Sequence, residues 1–314
     1  MELAVNYDEK RAKKAYPAHA QMKYDGVPLT LMRNADMSVS CLTRQNEQPT
    51  SVQHLVSAAN ELLPRVSGAS FVGECLLPGA SFKDSSGAIR RHEPNAKIVC
   101  IVFDANLNAQ PKLAYHQRFL AFRDTWQLWR MQQASPCIFP CPTTVVEDHD
   151  AAMAEWDRLK AKMPHAEGMM LHTCTKPFSP GKRAPGMLRY KPQPTIDLSV
   201  AGFEEAISET GEPLNMVGRV NVTLTRRGPD GWEPADKKNW QWLAAARAWR
   251  TVVGVGPGKL DHKQRTELWS WFKVGMVPSM VEVKYMPDPT YDALRQPTIQ
   301  RIRTDKEMPD VLSY

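Results

Sequence analysis

The sequence predicts an α+β chain in two domains, residues 1–193 and 194–314, and three observations carry that reading. At 314 residues the chain is longer than one ordinary core requires. In its first part, apolar runs short enough for strands alternate with segments of helical spacing. Beyond "KPQPTID" the strand-like runs dominate, and Pro192 and Pro194 mark a boundary near residues 192–196.

The elements follow in order. Residues 1–20 read as a short helical lead ending near Pro17. "PLTLMRNADMSVSCLTRQ" reads as two strands around an Asn-Ala-Asp turn. "SVQHLVSAANELLP" has helical spacing, with Ser51 as N-cap and Pro64 beyond its end. "SFVGECLLPG" and "AKIVCIVFDANL" are apolar strands. "KDSSGAIRR" (83–91) between them reads as a mobile loop or a plain connection. "YHQRFLAFRDTWQLWRMQQ" is a helix whose aromatics face a core, "TTVVED" a short strand and "DAAMAEWDRLKAKM" a helix. "AEGMMLHTC" and "GMLRYKP" are strands flanking a Gly/Pro/Lys loop. In the second domain "LSVAGFEEA", "MVGRVNVTLTRRG" and "SMVEVKYMPD" are strands, "RRGPDG" (226–231) is a hairpin turn, and the Trp-rich stretch 239–250 is a helix.

Composition narrows the function. With 42% hydrophobic and 24% charged residues the chain can bury ordinary cores. No run approaches the roughly 18 apolar residues of a membrane helix, and the N-terminus lacks an apolar signal core. A soluble cytoplasmic protein with no membrane partner is expected. The six cysteines are scattered, and Cys137 and Cys141 lack the second pair a zinc site needs, so buried reduced thiols are expected. The net charge is +6. Residues 196–314 hold 16 basic and 16 acidic side chains, so the whole excess lies in the first domain, compatible with a polyanionic partner.

The chemistry sits at strand ends. "QMKYDGVPL" places Lys23 two residues before Asp25 and three before Gly26. A lysine attacks phosphorus once deprotonated, and a glycine lets backbone approach a nucleotide closely. Asp25 could orient the site or handle a proton. Downstream stand, in order, Arg44 of "LTR", Glu74 of "VGE", Phe103 of "VFD", Glu167 of "EGMML", Arg189 and Lys191 of "RYK", and Arg303, Asp305 and Lys306 of "RTDK". An acid can hold a ribose hydroxyl, an aromatic can stack on a base, a second acid can hold a divalent metal, and paired cations can neutralise phosphates.

This ordered set resembles the covalent nucleotidyltransferases: ATP-dependent DNA ligases, RNA ligases and capping enzymes. The likeness runs from about residue 21 to 310 and is nearest to the small bacteriophage-type ATP-dependent DNA ligases. It implies a nucleotidyltransferase (adenylation) domain built of antiparallel sheets, followed by an OB-fold β-barrel. It implies Lys23 as the adenylated nucleophile, flanked at the nucleotide by Gln21, Met22 and Tyr24. Arg44 would serve the ribose or the nick, Glu74 the ribose, Phe103 the base, and Glu167 the metal. Arg189 and Lys191 would be the basic pair on the phosphates, and Arg303, Asp305 and Lys306 would orient pyrophosphate as the second domain closes about the 192–196 hinge. Leu294, Arg295 and Pro297 ahead of that ending point to DNA ligases.

ATP and Mg2+ are the implied cofactors, with Mn2+ able to substitute. Only 22 residues precede Lys23, where an NAD-dependent relative would need an extra domain, so ATP is the expected cofactor. The implied partner is nicked duplex DNA, in a bacterial cell or phage-infected host, for a monomer with no obligate protein partner. Lys182 and Arg183 are candidate DNA-backbone contacts alongside Arg44, as are Arg226 and Arg227. His54, His116, His149 and His165 read as surface or core residues.

Two positions depart from the family pattern. Pro28 stands where an arginine is usual, and Arg33 is a candidate replacement. Gln21 stands where many relatives carry an acid that accepts from the adenine amino group, and its amide oxygen can still accept. The alternatives are an RNA ligase or GTP-using capping enzyme on the same scaffold, and a non-catalytic DNA-binding module in which Pro28 marks decay.

Overall fold

The computed structural model describes residues 2–163, 166–228, 231–287 and 291–313. His165, the centre of the 226–231 turn and Asp288 at the end of "SMVEVKYMPD" lie outside them. The chain divides into two compact units, Met1–Lys191 and Pro192–Tyr314.

The first unit runs β1 (Leu3–Asn6), α1 (Glu9–Ala12), β2 (Ala18–Lys23), β3 (Val27–Arg33), β4 (Val39–Leu42), α2 (Gln53–Leu62), β5 (Ser70–Leu76), α3 (Phe82–Arg90), β6 (Val99–Asn106), α4 (Tyr115–Arg130), β7 (Ile138–Pro140), β8 (Thr143–Val146), α5 (His149–Lys162), β9 (Gly168–Thr173) and β10 (Arg183–Tyr190). Its strands form two five-stranded sheets, β1-β10-β9-β2-β8 and β4-β3-β5-β6-β7. Period-two burial shows along β3, where Leu29 and Leu31 are fully buried between half-buried neighbours. They join Phe71, Val102, Phe122 and Ile138 in one core. Each such side chain contributes about 1.5–3 kcal/mol by leaving water.

Burial also encloses charge. Arg118 of α4, 1% exposed, donates to both carboxylate oxygens of Asp104 and to the carbonyls of Ala105, Leu113 and Lys176. Lys176 in turn bonds Asp104 and Glu2. This network ties α4 and β6 to the loop after β9 and to the start of the chain.

The second unit runs β11 (Thr195–Ile207), β12 (Pro213–Arg227), β13 (Gln241–Leu243), β14 (Ala248–Val255), α6 (His262–Lys273), β15 (Met280–Met286), β16 (Arg295–Arg303) and β17 (Val311–Ser313). They make one sheet in the order β13-β14-β12-β11-β15-β16, with β17 on β12. Helix α6 opens on a capping box in which Asp261 and Gln264 satisfy each other's backbone N–H.

The structure corrects the expected architecture in two respects. First, the sheets are mixed rather than antiparallel. β1 runs parallel to β10, β7 to β6, and β17 to β12. Helix α4 is the crossover that returns the chain to the same end of the sheet, so β7 must lie parallel to β6. Residues 3–6, expected as part of a helical lead, are strand β1. Glu2 anchors them by bonding Lys176 and the Ser179 N–H. Second, no sheet closes into a barrel among the described residues. Beyond β14 a single bridge, Gly256 to Thr298, reaches β16.

Local assignments shift as well. Residues 239–250 form β13, a 3-10 turn and β14 instead of a helix. Their alanines favour helix, but Gln241, Trp242 and Leu243 pair with β14, and Trp249 and Arg250 with β12, and these ladders override propensity. The segment 83–91 lies mostly in α3, capped by Ser81. Ser51 bonds the Ile89 carbonyl instead of capping α2. No helix is long and apolar enough to cross a membrane among the described residues.

Candidate active site

Strand β2 carries the first group of site residues. Ala18, Ala20 and Met22 face the apolar core under α5, and alternation turns His19 and Gln21 to the opposite side. The strand ends at Lys23, paired in register with Gly168 of β9. A side chain at Gly168 would collide with the Tyr190 carbonyl at 2.1 Å, so glycine alone lets the end of β10 come this close. The close approach puts Glu167, before β9, against Lys191, after β10. Glu167 accepts from both Lys23 and Lys191. Burial pushes its carboxyl up, but the charge of Lys23 and the bonds from both lysines outweigh this, and Glu167 stays below the usual carboxylate range.

Gly26 explains the other half of the motif. A Cβ there would meet the Cys75 carbonyl at 2.5 Å and Glu74 Cγ at 3.0 Å. The bare backbone instead donates its N–H to Glu74 Oε1 at 3.2 Å. Burial lifts the Glu74 carboxyl to about 7, opposed by the charge of Lys23 and by the Gly26 N–H, with Asp25 adding a smaller upward push. Burial also raises the Tyr24 hydroxyl to about 12.

Lys23 and Glu74 border a cleft of about 390 Å³ whose wall also includes Gln21, Arg44, Phe103 and Arg189. Met22, Tyr24 and Arg183 also reach it. Lys182, Asp25, Glu167 and Lys191 do not line it, although Glu167 bonds Lys23 and Lys191 bonds Glu167. Arg189 Nε donates to Asn6 Oδ1 at 2.6 Å. A larger hollow of about 800 Å³ shares Gly26, Pro28 and Arg44 with the cleft and is lined by Arg90, Arg91 and His92. It holds no member of the lysine–glutamate group, so the chemistry belongs to the smaller cleft.

Gln21 is 1% exposed, and its amide can face only one way. Its Nε2 donates to the Tyr115 hydroxyl at 2.8 Å and to Thr143 Oγ1 at 2.9 Å. Each hydroxyl has one proton. Tyr115 gives its own to the Phe103 carbonyl at 2.7 Å, and Thr143 to the Cys141 carbonyl at 2.8 Å. Both must therefore accept from Gln21, which spends both amide protons and leaves Oε1 buried without a partner. A purine amino group fits that acceptor. Nothing in the spacing of the sequence singles out Tyr115 or Thr143.

Other expected residues sit elsewhere. Arg33 is 2% exposed and donates to the carbonyls of Met37, Asn60 and Leu63, so it closes a loop and does not replace the arginine missing at 28. His54 bonds the Ile98 carbonyl and His149 the Tyr7 hydroxyl. His116 lies 2.8 Å from His19, which burial and the charge of His116 push down to about 4. In the second unit Arg226 is 1% exposed and bonds the carbonyls of Tyr291 and Asp292, a structural role. Arg303 and Lys306 both bond Asp197 Oδ2, at 2.7 and 2.9 Å, with Asp305 on Arg303 and Asp310 on Lys306. Nothing in the spacing of the sequence singles out Asp197.

No family model matches the chain. Over 315 residues it is 24% identical to the DNA ligase of Methanobrevibacter smithii, a match that takes in 94% of this chain and 54% of that protein. The chain thus spans about half the length of that curated relative. Among solved structures it is similar to one named Pmar-Lig_Pre, with a TM-score of 0.70, 18% identity, and 97% of this chain and 68% of that one covered. It is also similar to one from a study of DNA binding with a minimal scaffold in Lig E DNA ligases, with a TM-score of 0.65, 14% identity, and coverage of 96% and 98%. The chain shares the fold of these proteins.

Proposed function

We propose that the protein is an ATP-dependent DNA ligase that seals nicks in duplex DNA through a lysyl-AMP intermediate. The observation that carries this reading is Glu167 bonded to both Lys23 and Lys191, with Lys23 in the wall of a cleft of about 390 Å³. The likeness to DNA ligases supports it.

In the first step Lys23 Nζ attacks the α-phosphorus of ATP, the bond to pyrophosphate breaks, and the amine sheds its proton beside Glu167. Lys191 and Arg189 meet charge developing on the phosphate. The orphan Gln21 Oε1 accepts from the adenine amino group, Phe103 stacks on the base, and Glu74 takes the ribose. Glu167, held ionised, offers the hard oxygen ligands that Mg2+ takes, and Mg2+ would polarise the phosphate. Arg303 and Lys306 are assigned to the pyrophosphate by their motif, and Asp25 to proton handling or orientation. AMP then passes from Lys23 to the 5′-phosphate of a nick, and the 3′-hydroxyl displaces it. Arg44 stands in the wall common to both hollows, which supports a role at the join between nucleotide and DNA end. Lys182 and Arg183 are assigned to the DNA backbone.

The test is incubation of AMP-free protein with labelled ATP or GTP and magnesium, then denaturing electrophoresis. A covalent AMP label that discharges on nicked duplex DNA is expected. A GMP label would assign the protein to capping. No label, or a label indifferent to DNA, would refute the proposal.

A further inference from the structure

The second unit has equal numbers of acids and bases, yet its charge is unevenly placed. Residues 226–250 carry six basic and three acidic side chains. The same stretch folds into a groove of about 530 Å³ whose described lining holds Trp232, Trp242, Trp249, Arg226, Arg227 and Arg247 and no carboxylate. Trp242 and Trp249 are cross-strand partners on β13 and β14, with ring centroids 5.4 Å apart. Trp249 in turn pairs with Arg226 on β12, so all three side chains stand on one face of the sheet.

Two features exceed what stability requires. Trp242 is 49% exposed, although it belongs to an edge strand of three residues with little core to cover. Arg247 sits at φ +47°, the left-handed region that costs a non-glycine residue free energy, and an exposed arginine gains nothing structural there. Arg226 is locked over Trp232 at 4.0 Å and stiffens the base of the groove. Arg227 spends one donor on the Ala246 carbonyl, and its fork has further donors.

The exposed indole of Trp242, beside the half-buried Trp249 and flanked by arginines, matches one chemistry: unpaired nucleobases stacking while phosphates run past cations. We propose that this groove binds single-stranded nucleic acid, with bases on Trp242 and Trp249 and the backbone on Arg227 and Arg247. An intact duplex keeps its bases stacked on one another and offers them no face. This inference goes beyond nick sealing and is read without ATP, so it stands or falls independently of the nucleotidyl-transfer reading.

The experiment is fluorescence anisotropy of a labelled oligothymidylate with the full chain. Trp242→Ala and Arg247→Glu should each weaken binding about tenfold, Trp242→Phe should restore most of it, and an abasic strand of equal length should bind the wild type about tenfold more weakly. Unchanged affinity in Arg247→Glu, or an abasic strand bound as tightly as oligothymidylate, would overturn the proposal. So would an equal loss on intact duplex, which would make the groove a general phosphate surface. Circular dichroism separates a folding defect in Trp242→Ala, and the Arg247→Glu and abasic-strand results decide without it.

Discussion

Gln21 Nε2 donates to the Tyr115 hydroxyl at 2.8 Å, and that bond fixes the direction of the amide, because Tyr115 has already given its proton to Phe103. Thr143 repeats the arrangement. Removing both hydroxyls frees the amide to turn and offer N–H to a 6-oxo purine. The double variant Tyr115→Phe, Thr143→Val should lower the preference for ATP over GTP in covalent labelling by about tenfold, the scale of one buried hydrogen bond. Gln21→Glu should keep ATP, since a carboxylate also accepts. Equal losses with both nucleotides would show that the two hydroxyls only support the fold.

Lys23→Ala should take up no nucleotide and seal no ordinary nick. Lys23→Arg should fail equally, because a guanidinium does not give up its proton near neutral pH. Lys191→Ala keeps the nucleophile but loses a cation at the phosphate, and labelling should slow about 10²-fold or more. Sealing by Lys23→Ala would remove the nucleophile from the proposed role.

The two site acids give opposite pH signatures. The Glu74 carboxyl is raised to about 7 in the folded protein. The native state therefore holds more protons than the unfolded chain between about pH 4.3 and 7. Its contribution is full at low pH and is lost as pH rises through about 7. Part of Glu74 faces the wet cleft, so about 3 kcal/mol is a ceiling. Glu74→Gln should raise the thermal midpoint more at pH 8 than at pH 5. Glu167 is shifted down, so its stabilisation is present at neutral pH and is lost as pH falls through the folded value. Thermal melts of Glu167→Gln should diverge from wild type at pH 7 and converge in acid.

Arg303→Ala should slow self-adenylation far more than sealing of a pre-adenylated nick. Asp197 adds a control, since Arg303 and Lys306 share its Oδ2. Asp197→Asn removes their common anchor and should also slow the first step selectively, by a smaller factor. Equal loss in both assays would refute the leaving-group role.

Arg118→Met tests the buried network. It removes the two-pronged partner of Asp104, leaving that buried carboxylate to Lys176 and the Ala105 N–H, and leaves the Leu113 and Ala105 carbonyls short of a donor. A loss of about 3–5 kcal/mol in denaturant unfolding is expected. A change under about 1 kcal/mol would mean that water replaces the guanidinium.

Part of the candidate site was legible because its charged residues and glycines stand at the ends of apolar runs, where strand ends bring them together. Lys23, Glu167 and Lys191 converge, and Gly26 and Gly168 are required by contacts under 3 Å that any side chain would violate. Tyr115, Thr143 and Asp197 were not legible, since a partner role set by proton counting leaves no periodic trace. The Trp-rich stretch misled because local propensity carries no information about a ladder formed with β12. The parallel β1 was hidden because a four-residue strand has too few positions to show alternation, and what holds it is one buried glutamate, Glu2, paired with a lysine 174 positions away.

The double grip on Glu167 also bears on how the protein ages. An amine condenses with sugars and aldehydes only when neutral and accessible, and both lysines of the site are engaged with one carboxylate. Held against Glu167, Lys23 and Lys191 are less accessible to such reagents than a solvated lysine would be.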